Sequence, residues 1–449
     1  MNTMPVVIVG AGPVGLAAAA QLRERGLIPL VFERGESAGA AIAEWNHVRL
    51  FSRWGELIDP AARRLLDATG WAAPDDDAFP TGQDWTRDYL VPLANVLGDD
   101  IVQLNTAVIG VARRGRDRVV DAGRDTEPLS VHLRRSDGTE GRITAQAVID
   151  ASGTWTTPNP LGGEGLPALG ERAAAGVIEY RVPNLADEAV RARYAGKHIV
   201  IAGSGHSALT AIVALANLES PGTRISWVLR RGDVGSTFGG GDDDQLPARG
   251  ALGLRAKAAV DAGLLTVVPG FRTATIEPAD DDDRVVLVSD TGARIEDVDR
   301  VVVLTGFRPD LSWLSEIRLG LDPVLQAPVE LAPLIDPNVH SCGTVYPHGV
   351  AELSHPEPNV FLAGMKSYGR APTFLAMTGY EQVRSIAAAL DGDHDAAARV
   401  ELTLPETGVC GGAGVFDDPD TPAEAVDASA GCCAAPAQAL ITLSSRAGG

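Results

Sequence analysis

Val6-Val7-Ile8-Val9-Gly10-Ala11-Gly12-Pro13-Val14-Gly15 decides the fold class of this 449-residue chain. Four apolar residues in a row read as a buried strand. A glycine turn follows, and Leu16–Arg25 reads as a helix closed by Gly26. Ile28–Phe32 is a second strand and ends at Glu33. Strand, glycine turn, helix and strand form the start of a parallel α/β sheet. In this G-x-G-x-x-G pattern Gly10 makes the tight turn after the strand. Gly12 lets the backbone approach a pyrophosphate, and Gly15 lets the helix pack against the strand. The helix N-terminus adds N–H groups and a positive dipole end, which suit phosphate. Glu33, 18 residues after Gly15, is placed to accept both ribose hydroxyls of a dinucleotide. Pro13 and Arg34 flank these groups and are expected at the same cofactor.

Working outward, the pattern occurs again. Ile199–Ala202 is a strand, Gly203-Ser204-Gly205-His206-Ser207-Ala208 a glycine turn, and Ser207–Leu218 a helix. Ala208 ends the motif where the first has glycine, which the pattern tolerates. The next strand, Ile225–Leu229, ends in no acid; Arg230 and Arg231 stand there. A guanidinium at that place suits a 2′-phosphate, so this site is expected to hold NADPH through Gly203, Ser204, Gly205, Ser207, Arg230 and Arg231. Two dinucleotide sites in one chain imply hydride transfer from a nicotinamide to a flavin, with FAD assigned to the first site through Glu33.

Between and after these units lie short β-like stretches at Ile101–Val111, Leu129–Arg134 and Ala147–Ile149, with an Asp137-Gly138 hairpin signal. Val301–Leu304 and Val360–Ala363 are further apolar strands, each followed closely by glycine. A helix is expected from about Thr373 to Leu390, with Pro372 near its first turn. Beyond about residue 400 the chain is rich in Gly, Ala, Pro and Asp and reads as a weakly ordered tail.

Composition excludes several classes. The formal net charge of −21 argues against a nucleic-acid partner, which needs clustered Lys and Arg. The acidic runs Asp75–Asp77, Asp242–Asp244 and Asp281–Asp283 read as solvated surface. No apolar run approaches the roughly 20 residues of a membrane span, and no signal peptide is evident, so a cytoplasmic protein is expected. The four cysteines, Cys342, Cys410, Cys432 and Cys433, are too few for a disulfide scaffold, and no Cys-x-x-Cys occurs. His340, His348 and His355 surround Cys342 and are candidates for lining a substrate pocket; their spacing matches no standard metal site, and none is expected.

These residues resemble the flavoproteins with two dinucleotide-binding domains, and within them the class B flavin monooxygenases, over roughly residues 4 to 395. Four features carry the resemblance: the two glycine motifs, Val148-Ile149-Asp150-Ala151-Ser152-Gly153-Thr154-Trp155, the run Val301–Pro309, and Trp45-Asn46-His47-Val48-Arg49-Leu50-Phe51-Ser52. The stretch Val148–Trp155 is similar to the link leaving the FAD domain, with Gly153 at the cofactor. Val301–Pro309 resembles the link returning to it. Trp45–Ser52 is similar to the segment crossing near the isoalloxazine. The resemblance implies two Rossmann-like domains: FAD-binding residues 1–164 and 305–395, an inserted NADP domain at 165–304, and a tail at 396–449. It places Gly364 at a second FAD contact and points the helix near Thr373 at the flavin, where its positive end stabilises the reduced ring. Asn46, Arg49 and Ser52, with His47, become candidates for the flavin face. The implied activity passes hydride from NADPH to FAD, and then to O2 and a small substrate. One departure stands out: the family's fingerprint F-x-G-x-x-x-H-x-x-x-[FW] is absent, and Leu169–Tyr180 contains no histidine.

The alternative is a reductase of a quinone, a disulfide or a metalloid without oxygenation. A disulfide relay needs two cysteines close together beside the flavin, and the missing Cys-x-x-Cys weighs against it. His340–Thr373 and the cysteine-bearing tail resemble the flavoproteins found with bacterial arsenic-resistance operons. Thiolates are soft ligands, so the adjacent Cys432 and Cys433 are a candidate site for a thiophilic metalloid.

Overall fold

A computed structural model describes residues 4–402, except 219, 245, 280–283, 339–346 and 373. Strand β1 (Val6–Val9) is buried along its whole length, as a continuous apolar run demands of a parallel strand covered on both faces. The helix after it starts earlier than its sequence suggests, at Pro13, and ends at Glu24. Proline fits there because the first helical N–H has no intrahelical partner to lose. Beside β1 lies β2 (Pro29–Phe32), and beside β2 lies β3 (Val102–Gln103).

The chain then builds an antiparallel sheet of β4 (Thr106–Arg113), β5 (Leu129–Arg135) and β6 (Glu140–Ala145), and returns as β7 (Ala147–Asp150) on the other side of β1. The same plan follows once more. After β8 (Ile178–Glu179), strands β9 (His198–Ala202), β10 (Arg224–Val228) and β11 (Thr266–Val268) line up in parallel. An antiparallel set, β12 (Thr273–Pro278), β13 (Val285–Ser289) and β14 (Arg294–Val298), precedes β15 (Arg300–Val303), which pairs with β9 and β8. Strand β16 (Val360–Leu362) then pairs with β7. The two parallel sheets run β16-β7-β1-β2-β3 and β11-β10-β9-β15-β8. The chain leaves the first sheet after Asp150, builds the second, and re-enters the first at Val360.

Side-chain alternation explains the layering. Val6 and Ile8 pack under the Pro13–Glu24 and Ala376–Asp391 helices, while Val7 and Val9 pack on Val111, Leu129 and Val131 of the antiparallel sheet. In the second unit Ile199 and Ile201 face the His206–Ala216 helix, and Val200 and Ala202 face Ile276 and Leu287.

The structure corrects two readings. The last long helix spans Ala376–Asp391, so Pro372 lies before it; Leu375 is still extended at the N-cap. Asp244 is no solvated acid: it is 5% exposed and forms a short ion pair of 2.7 Å with Arg249, itself 6% exposed. Its neutralising partner comes from the next helix, Pro247–Asp261, and offsets the cost of burying the charge. The Asp75–Asp77 run matches the surface reading, with exposed pairs Arg53–Asp77 and Arg63–Asp76. Among the described residues no helix is long and apolar enough to cross a membrane.

Candidate functional site

Register brings the candidate residues to one edge. Val9 lies opposite Phe32 and Asp150, and Leu362 lies opposite Asp150, so four strands end level. In the second sheet Ala202 lies opposite Val228 and Val303. Carboxyl ends of parallel strands are where α/β sheets bind ligands. Gly10, Glu33, Gly153 and Gly364 all follow such ends in the first sheet, and Gly203, Arg230 and Arg231 in the second.

Both glycine turns have the form a dinucleotide needs. Gly10 has φ +98°, and a Cβ there would meet the Ala151 carbonyl oxygen at 3.0 Å. Gly203 has φ +127°, and a Cβ would lie 2.3 Å from the Leu304 carbonyl oxygen. Gly12 and Gly205 are the N-caps of the two helices and face open space. No side chain caps either helix, so their first N–H groups are left for a phosphate. Gly15 is required by close packing, since a Cβ would fall 1.9 Å from the Gly10 carbonyl oxygen. Ala208 fills the corresponding place and is fully buried.

Glu33 accepts 2.8 Å hydrogen bonds from the Ala11 and Gly35 amides, one on each oxygen. A carboxylate offers about four lone-pair positions, so it retains capacity for ribose hydroxyls. These features fit the adenosine diphosphate part of FAD. Arg34 is exposed beside Glu33. In the second unit Trp227, fully buried on β10, donates to the Gly203 carbonyl at 2.8 Å and fixes the turn. Arg230 is exposed at the end of that strand, with Nη1 3.4 Å from the Gly163 carbonyl; Arg231 is half-buried beside it. Ser204 is half-buried and Ser207 exposed at the head of the helix.

The segment at 45–52 borders both units. Asn46 accepts from the Gln83 amide through its carbonyl at 2.8 Å, and Arg49 donates to the Phe79 carbonyl. Arg49 is exposed and Ser52 half-buried. The end of the segment reaches across: the Phe51 ring lies 5.3 Å from that of His206, at the first turn of the second glycine-turn helix. The two links are bonded to each other. Asn159 accepts Arg308 Nε at 2.7 Å and donates to the Thr305 carbonyl at 2.9 Å, and the Asn159 amide donates to the Gly306 carbonyl at 2.8 Å.

Sequence reasoning missed a buried cluster beneath this edge. Lys366 Nζ lies 2.7 Å from Asp150 Oδ2 and donates to Ser152 Oγ at 2.9 Å, with the ammonium 5.0 Å from the Trp313 ring centroid. Ser152 in turn donates to Asp150 Oδ1 at 2.6 Å. Gln382, also buried, accepts the Gly364 amide at 2.7 Å and donates to Ser367 Oγ at 2.9 Å. Its amide nitrogen also sits 2.8 Å from His348 Nε2, and that histidine is 3% exposed. His355 Nδ1 bonds the Gly320 carbonyl at 3.2 Å, and burial holds the ring down to about 4, hence neutral. Gly364 and Gly379 both pack on Val14, which brings the head of the Ala376–Asp391 helix against that of the Pro13–Glu24 helix. Thr373, His340, Cys342, Cys410, Cys432 and Cys433 lie outside the described residues. In the segment without the fingerprint histidine, Glu171 is 2% exposed and ties the Leu161 and Ala168 amides and the Tyr180 hydroxyl together.

A family model described as Pyridine nucleotide-disulphide oxidoreductase matches residues 4–345. Solved structures share the fold over 87% of this chain. They include the bacillithiol disulfide reductase of Bacillus cereus, at 19% identity, a TM-score of 0.63 and 99% of that chain covered. A flavin-containing monooxygenase from Stenotrophomonas maltophilia matches at 21% identity and a TM-score of 0.57, with 99% of its chain covered. The ornithine hydroxylase of Pseudomonas aeruginosa matches at 16% identity and a TM-score of 0.56, also with 99% covered. No curated protein matches significantly.

Proposed function

Because the chain belongs to the pyridine nucleotide-disulphide oxidoreductase family, and so is a flavin-dependent oxidoreductase using FAD and a nicotinamide dinucleotide, we propose a specific route for its electrons. NADPH would supply hydride, bound FAD would carry it, and O2 and a small substrate would be the acceptors, in the manner of a flavin monooxygenase. One observation carries the relay. Two open glycine turns, each heading an uncapped helix, lie at the carboxyl edges of two parallel sheets joined by paired links. We assign residues 165–304 as an NADP domain inserted between FAD-binding parts 1–164 and 305–395.

Bound FAD supplies a carrier that accepts two electrons and passes them on singly or in pairs. The chain's own residues hold and orient. Gly12 admits the pyrophosphate to the first helix N-terminus, and Glu33 takes the ribose hydroxyls. Gly205 does the same for the second dinucleotide, with Arg230 and Arg231 at its 2′-phosphate. Asn46, Arg49 and Ser52 border the flavin face, and Gly153, Gly364 and the segment at Thr373 complete the FAD contacts.

The second reading, reduction of an acceptor without oxygenation, draws support from Glu171. The segment where the fingerprint histidine is missing serves packing instead. Mixing the yellow holoprotein with NADPH under air in a stopped-flow spectrometer separates the two. A long-lived intermediate spectrum before reoxidation supports oxygenation; immediate reoxidation with peroxide release supports reduction. A metalloid acceptor handed over by Cys432 and Cys433 has its own test. Cys432→Ser/Cys433→Ser abolishes tight arsenite binding if the pair is the site, and unchanged binding rejects it.

A further inference from the structure

Where the two units meet, beside the segment assigned to the flavin face, four side chains form a cluster and a fifth, His47, bonds the Val182 backbone next to one of them. Three of them follow strand ends at the ligand-binding edges: Trp155 after β7, Arg181 after β8 and Phe307 after β15. Trp45 and His47 come from the segment that reaches across. The Trp155 ring centroid lies 6.4 Å from that of Trp45 and 4.9 Å from that of Phe307, and the Arg181 guanidinium sits 4.7 Å over it. Arg181 also pairs with Glu44 at 2.8 Å through Nη2.

The cluster is aromatic on its walls and unsatisfied in its polar atoms. Trp155 Nε1, Arg181 Nε and His47 Nε2 are each shielded from solvent and have no hydrogen-bond partner. Buried polar atoms are almost always bonded, and leaving one unbonded costs about 1–3 kcal/mol. Unbonded atoms on Trp155 and on the Arg181 that stacks over it, with a third on His47, therefore point to a ligand. Their chemistry is specific. An indole N–H and a guanidinium N–H only donate. Burial lowers the His47 pKa and the ring bonds the Val182 backbone, so the neutral ring presents Nε2 as an acceptor. The site offers two donors, one acceptor and flat walls.

We propose that this cluster binds a quinone and that the protein reduces it by two electrons. The claim rests on the hydride relay above but not on oxygen chemistry. A quinone is flat, accepts hydrogen bonds at its carbonyl oxygens, and gains hydroxyl hydrogens only on reduction. Trp155 and Arg181 donate to the carbonyl and stabilise the negative charge that develops there. His47 accepts from the hydroxyl of the product. The balance closes with NADPH as reductant: NADPH, H+ and quinone give NADP+ and hydroquinone. Two electrons and one proton come as hydride, and the second proton comes from solvent.

The test uses the FAD-loaded full chain, NADPH and 1,4-naphthoquinone under argon, with ferricyanide as a second acceptor that needs no flat aromatic site. Trp155→Phe keeps the ring and removes the donor; Arg181→Lys keeps the charge and removes Nε–H. Each raises the KM for naphthoquinone about tenfold relative to ferricyanide turnover by the same variant, the size of one lost hydrogen bond. Ratios within twofold of wild type for both variants overturn the quinone site while leaving the relay intact. Loss of NADPH–ferricyanide turnover in the wild-type protein overturns the relay itself. Should a variant not retain FAD, titration of the wild-type holoprotein without NADPH decides. A saturable change in its flavin and tryptophan spectra with naphthoquinone supports the site, and an unchanged spectrum overturns it.

Discussion

Replacing Lys366 with Met strands a charge in the core. Asp150 is fully buried and Lys366 is 1% exposed, with 2.7 Å between the charged atoms. Methionine fills nearly the same volume, so the loss is electrostatic more than steric. Removing one partner of a buried pair costs about 3–5 kcal/mol because the other charge stays desolvated. The Trp313 ring adds about 1 kcal/mol of lost cation–π contact. We expect Lys366→Met to lower the unfolding free energy by about 4 kcal/mol. Lys366→Met/Asp150→Asn, which removes the stranded charge, regains at least half of that. The measurement is urea unfolding followed by circular dichroism at fixed excess FAD, because bound cofactor stabilises the folded state by mass action. A single variant that loses less than about 1 kcal/mol refutes the reasoning, as does a double variant no better than the single one. The cluster also backs the cofactor edge. Asp150 and Ser152 hold the turn that packs on Gly10, so FAD affinity falls together with stability in Lys366→Met.

Three further outcomes follow from the same geometry. Arg230→Ala/Arg231→Ala raises the KM for NADPH at least tenfold, from lost charge-assisted bonds of about 1.5–3 kcal/mol, and leaves that for NADH nearly unchanged; equal effects on both nucleotides reject the 2′-phosphate assignment. Gly15→Ala places a methyl 1.9 Å from a backbone oxygen, so the purified protein is colourless, and a variant with full flavin absorbance contradicts the close packing. Burial pushes the Asp59 carboxyl up to about 6 from 3.8, despite bonds from the Ala62 amide and Gln21. The folded state then binds this proton more tightly than the unfolded one, so its contribution to stability is fullest below pH 4 and is lost as pH rises through 6. Relative to Asp59→Asn, the wild-type unfolding free energy falls by about 2.4 kcal/mol between pH 4 and pH 8, and a difference that stays flat with pH contradicts it.

The elements that sequence reading recovers are those whose physics is local. Strands β1, β9, β15 and β16 are short apolar runs because parallel strands are buried on both faces, and that composition is visible without partners. Gly10 and Gly203 are visible because their backbone angles exclude most other residues. The helix start at Ala376 escapes sequence reading because Pro372 is a signal for an N-terminus but equally tolerates the extended backbone that precedes one. Strands β12 and β14 carry few fully buried residues and offer no run to recognise.

What stays illegible depends on partners distant in the chain. Lysine and aspartate ordinarily mark surface, and nothing near Lys366 announces that Ser152, 214 residues earlier, shares its hydrogen bond. Asp244 is different: its partner Arg249 is only five residues on, and it reads as solvated because aspartate ordinarily marks surface. The candidate quinone cluster is the extreme case. Its five side chains come from the segment before β3, the ends of three strands and both halves of the chain, and no spacing rule relates them. They converge at the seam between the two parallel sheets, in which β7 beside β1 and β15 beside β9 hold equivalent places. Trp155 and Phe307, a few residues past the ends of those two strands, meet ring to ring there. Repetition of one fold within the chain thus places chemistry at the seam, where neither copy alone would show it.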